Sequence, residues 1–98
     1  MGEQELPKEQ QLKEYFQAEM PSYQVDMEWN IDAHSFWFYF AERHENRYIL
    51  DLDQDVVQER SVAELIQQLE RKKWKIVLKQ HPGKIGEYGG KGFSFRSR

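Results

Sequence analysis

Apolar positions along the first forty residues change their period sharply. Leu12, Tyr15, Phe16 and Met20 recur at helical spacing, while Glu9, Glu14 and Glu19 lie off that stripe. This pattern predicts an amphipathic helix. Pro7 suits its first turn, where a missing N–H costs nothing. Pro21 ends it by forcing its predecessor out of the α region. Tyr23, Val25, Met27, Trp29 and Ile31 then alternate with Gln24, Asp26, Glu28, Asn30 and Asp32. That period of two predicts a strand with one apolar and one acidic face.

Residues 35–42 predict a second strand, with Phe36, Phe38 and Phe40 on one side and Trp37, Tyr39 and Ala41 on the other. Apolarity on both sides places it centrally in its sheet. A polar turn over residues 43–46 leads to a third strand carrying Tyr48, Leu50 and Leu52 inward. Ser61-Val62-Ala63-Glu64 has the S-x-x-E form of a capping box, and Val62, Leu65, Ile66 and Leu69 continue it at helical spacing. Trp74, Ile76 and Leu78 alternate with Lys75, Val77 and Lys79, so residues 74–79 read as a fourth strand. Pro82 and five glycines make residues 80–92 a loop, and Phe93 and Phe95 can form a short final strand.

The expected fold is α+β: one small domain over residues 1–98, ordered α-β-β-β-α-β with a further short strand. It has an antiparallel sheet with two helices packed on one face. The Gly-rich basic segment over residues 80–98 is expected to be partly flexible. The first five elements follow the order of double-stranded-RNA-binding domains, a likeness of topology alone. Those domains carry a lysine cluster at the start of their second helix. Here Glu59-Arg60-Ser61-Val62-Ala63-Glu64 stands there, and Arg71-Lys72-Lys73 lies at the opposite end.

Charge adds what periodicity does not show. Residues 1–70 hold five basic against sixteen acidic side chains, whereas residues 71–98 hold nine basic against Glu87 alone. A net charge of −3 thus conceals halves of −11 and +8. Such asymmetry is a cue about partners. Aromatics are 14% of the chain, enough to build a core from few large pieces. Cysteine is absent, which excludes disulfides and thiolate metal sites. Without a basic, apolar leader or a membrane-length apolar run, the expected location is cytoplasmic, with no membrane partner.

Most catalytic and ligand motifs fail on inspection. Gly90-Lys91 lacks the spacing and the following Ser or Thr of a Walker loop. Gly83-Lys84-Ile85-Gly86 matches a G-x-x-G, but a poor helix former follows it. Asp51-Leu52-Asp53-Gln54-Asp55 starts like a calcium loop, yet Val56 stands where glycine is required. Its carboxylates are expected to stay in water. His34, His44 and His81 fall in separate loops. Neither catalytic residues, nor a metal, nor a cofactor are expected.

The first functional reading is a non-enzymatic module contacting nucleic acid through Lys72, Lys73, Lys75, Lys79, Lys84, Lys91, Arg96 and Arg98. Lysine and arginine neutralise phosphates, and Tyr88 and Phe93 are candidates to stack on bases. The alternative is a protein-interaction or inhibitor domain, homodimeric in one form, that uses Trp37, Tyr39 and Ile49 on the outer sheet face. A third possibility leaves the basic segment docked on its own domain, paired with Asp26, Glu28 and Asp32 or covering the outer aromatics with Phe93 and Phe95.

Overall fold

Leu12 and Phe16 turn inward from helix α1, Lys8–Glu19, and Met20 caps it with a buried side chain. The computed structural model describes residues 6–98, in the order α1, β1 (Gln24–Asn30), β2 (Ser35–Glu42), β3 (Glu45–Asp53), α2 (Gln54–Glu59), α3 (Val62–Arg71), α4 (Trp74–Lys79), β4 (Lys84–Gly89) and β5 (Gly92–Ser97). The mixed α+β character and the order of the elements agree with the sequence pattern.

The strands form one five-stranded sheet in the order β1-β2-β3-β4-β5. All neighbours are antiparallel except β3 and β4, which run parallel. The sheet is therefore mixed, not antiparallel as expected. Parallel neighbours need a long crossover, and the three helices between residues 54 and 79 supply it.

Residues 74–79 are a helix, a correction to the strand expected there. Lys73 adopts a left-handed conformation (φ 57°), and its carbonyl accepts the Val77 N–H at 3.0 Å. Trp74 and Leu78, four apart, are buried, while Ile76 faces solvent. The alternation of three apolar residues was equally one turn of amphipathic helix. Residues 84–89, expected as loop, form β4 between β3 and β5, and α2 joins α4 as a second helix beyond the two expected.

Register sorts the side chains into two layers. Met27, Phe38, Leu50, Gly86 and Phe95 form one cross-strand row on the helix side. Phe16 of α1 meets Phe38 and Trp74 edge-on, each with ring centroids 4.9 Å apart, so the aromatic core joins the helices to the sheet. The outer face carries the row Asp26, Tyr39, Ile49, Ile85 and Arg96, beside Glu28, Trp37, Asp51, Glu87 and Ser94. Among the described residues, no helix is long and apolar enough to cross a membrane.

Candidate anion pocket at the β4–β5 turn

The basic residues of the C-terminal segment do not form one patch. Lys75 pairs with Glu19 of α1 at 2.7 Å, and Lys73 lines the same crevice with Glu70. Lys79 sits over the Tyr23 ring at 6.0 Å. Lys84 is exposed at the start of β4, and Arg98 donates to the Asn46 carbonyl at 2.6 Å. Arg96 donates to Glu87 at 2.7 Å, lies 3.9 Å from Asp51 and covers the Trp37 ring at 5.5 Å. Much of the charge excess is thus spent within the fold, though on Glu19, Glu87 and Asp51 instead of the β1 carboxylates expected.

Lys72 and Lys91 are brought together. They line a pocket of about 270 Å³ with Arg60, Arg71, Gln68 and the Gly89-Gly90 backbone, and no acidic side chain among the described residues lines it. Three local structures create it. Ser61 caps α3 by accepting the Glu64 N–H at 3.1 Å, which sets Arg60 just before the helix. The end of α3 then presents Arg71 and Lys72. The β4–β5 turn, with Gly92 at φ 98°, carries Lys91 across from them.

Arg60 supplies the sharpest feature. Its backbone carbonyl accepts Lys8 Nζ at 2.8 Å, while its Nη1 is shielded from solvent without a hydrogen-bond partner among the described residues. Leaving a buried donor unpaired costs about 1–3 kcal/mol, more when it is charged. Arg60 also lines the pocket, so its charge adds to those of Arg71, Lys72 and Lys91 there. The α3 C-terminus opposes this with roughly half a negative charge. Four formal positive charges exceed it.

Arg60 and Arg71 were absent from the candidate set. The signal for Arg71 was its place beside Lys72 in the last helical turn. Arg60 had no comparable signal, because its neighbours in the pocket lie on other elements. Tyr88 cannot stack on a base, since it is buried, donates weakly to Gln68 at 3.5 Å and packs on Phe93 at 4.8 Å. Phe93 and Phe95 pack against the helix-side core and do not cover the outer face.

A groove of about 320 Å³ lies on the other side of the same turn, lined by Ser35, Asp51, Asp53, Glu87, Lys91 and Arg96 among others. Asp51 is buried there, not in water as expected. Burial raises its carboxyl above the ordinary range, as do Glu87 and Asp53, while Ser35 and Arg96 pull it down. No group of acidic or histidine side chains among the described residues is arranged to hold a metal ion.

Ile49, expected in an exposed patch, is also buried. Trp37 and Tyr39 are half-buried beside it; Trp37 donates to Ser35 at 3.0 Å and Tyr39 to Glu28 at 2.8 Å. Compared with protein-family models, curated proteins and solved structures, the chain matches none.

Proposed function

We propose that the protein is a small, non-enzymatic, cytoplasmic module that contacts nucleic acid through phosphate groups at the β4–β5 turn. The carrying observation is the convergence of Arg60, Arg71, Lys72 and Lys91 on one pocket that no acidic side chain among the described residues lines. Arginine presents a planar fork of donors matched to phosphate oxygens, and lysine adds point charge. The adjoining glycines let a ligand approach the backbone closely. Since Tyr88 is buried, contact falls on phosphate and not on base faces, which favours binding without sequence preference. The cysteine-free composition suits a reducing compartment.

Electrophoretic mobility of labelled single- and double-stranded DNA and RNA at low salt tests this reading. Retardation is expected, weakening as salt rises and lost on Lys72→Ala with Lys91→Ala. Absence of retardation for every oligonucleotide ends the proposal. The outer sheet face supports a partner site less well, because its aromatics are tied to Arg96, Ser35 and Glu28.

A further inference from the structure

We infer that the pocket takes a terminal phosphomonoester, the phosphate at the 5′ or 3′ end of a strand, an inference that rests on the nucleic-acid reading above. Charge is the first argument. An internal phosphodiester carries one negative charge, whereas a phosphomonoester carries about −1.5 to −2 near neutrality and offers three acceptor oxygens. Four converging cations, even after the opposing helix end, suit the larger charge.

The surroundings make the second argument. A strand running through the site would need further cations along its path. On the outer side of the turn it would instead meet Asp51, Asp53 and Glu87. Beyond Lys73, it would meet Glu70 and Glu19. Lys84 and Arg98 lie at the opposite end of β4, since Lys84 pairs with Ser97 while Gly89 pairs with Gly92. That separation is about 17 Å at the usual strand rise, and Arg96, the basic residue of β4 and β5 between these ends among the described residues, is on the outer face. The positive region is a spot, not a track. A chain end can enter it while the remaining phosphates stay in solvent.

Arg60 makes the third. It is less exposed than Arg71, Lys72 and Lys91, which favours a group that reaches in, and a monoester projects further from its sugar than a phosphate bridging two sugars.

Fluorescence-anisotropy titrations of one labelled oligonucleotide in three forms, with a 5′-phosphate, with a 3′-phosphate and with hydroxyl at both ends, test the inference. At least one phosphorylated form is expected to bind ten-fold or more tightly than the hydroxyl form, and inorganic phosphate is expected to compete. The stronger arm identifies the end recognised. Arg60→Gln should lower affinity for the phosphorylated form ten-fold or more and narrow its advantage over the hydroxyl form. Lys91→Gln, on the exposed turn, gives the same readout where Arg60→Gln impairs folding. Equal affinity for all three forms overturns the end-specific inference and leaves nucleic-acid contact standing. Failure of all three to bind overturns both.

Discussion

Phe95 lies across Gly86, its register partner on β4, so closely that a Cβ built on Gly86 would sit 2.8 Å from Phe95 Cε1. The same ring stacks on His81 with centroids 3.9 Å apart. The glycine is therefore the floor on which the edge strand's aromatic rests. Gly86→Ala should cost about 1–3 kcal/mol, the usual penalty of overpacking. A urea midpoint equal to the parent's would contradict this. Combined with Phe95→Val, the alanine should be better tolerated, because neighbouring substitutions couple.

Tyr15 accepts Trp74 Nε1 at 3.0 Å and donates to Glu70 at 2.8 Å, so one hydroxyl joins α1, α3 and α4. Tyr15→Phe leaves the indole N–H without that acceptor and should lower stability by about 1–2 kcal/mol. Chemical denaturation measures it, and a change below a few tenths would show the hydroxyl to be dispensable.

Lys73 holds a left-handed backbone that costs an L-residue roughly 1–2 kcal/mol. Glycine is favoured after a helix for this reason. Lys73→Gly should raise the melting temperature by several degrees, equivalent to about 1 kcal/mol. It should also leave oligonucleotide affinity unchanged, because Lys73 lines the crevice of Glu19 and Glu70 instead of the anion pocket. A large loss of affinity would place the contact on the wrong side of α3.

Asp51 sets a pH dependence. Its carboxyl titrates above the ordinary value in the fold, chiefly through burial, so the folded state holds this proton more tightly than the unfolded chain. Its stabilising contribution is complete below the unfolded value and is lost as pH rises through the folded value. Asp51→Asn should remove that part of the decline and be at least as stable as the parent at pH 7. Parallel pH profiles for the two proteins would contradict the assignment.

Salt dependence separates a local contact from an extended one. If all four pocket cations meet phosphate charge, a single strand should lose affinity with a log–log slope no steeper than about −3. A much steeper slope, measured between low and physiological salt, would require basic residues outside the pocket.

Much of the fold was legible because α1, α3 and the first three strands each repeat one period long enough to identify it. Residues 74–79 were not, since Trp74, Ile76 and Leu78 satisfy a strand while Trp74 and Leu78 satisfy a helix, and six residues cannot choose between them. β4 was hidden by Gly83, Gly86 and Gly89, whose turn-like composition serves aromatic packing at Gly86. α2 was hidden too: Asp53 ends the strand and then accepts the Asp55 N–H at 2.9 Å, turning the acidic run into a helix start. At the candidate site, composition disclosed a positive segment but not its partition. The pocket draws on the α2–α3 junction, the end of α3 and the last turn of the sheet, a juxtaposition that only tertiary structure makes.

The parallel pairing of Ile49 with Ile85 sets an order of assembly. β4 has no long-range neighbour until the intervening helices have brought the chain back, and contacts so distant in sequence form slowly. The hairpin bearing Lys91 is expected to dock late, and the cation cluster is complete only with that hairpin in place. A ligand seated there would favour the closed sheet by mass action. Protection of β4 and β5 amides from exchange should then deepen with ligand concentration, while the β1–β2 hairpin stays as it was.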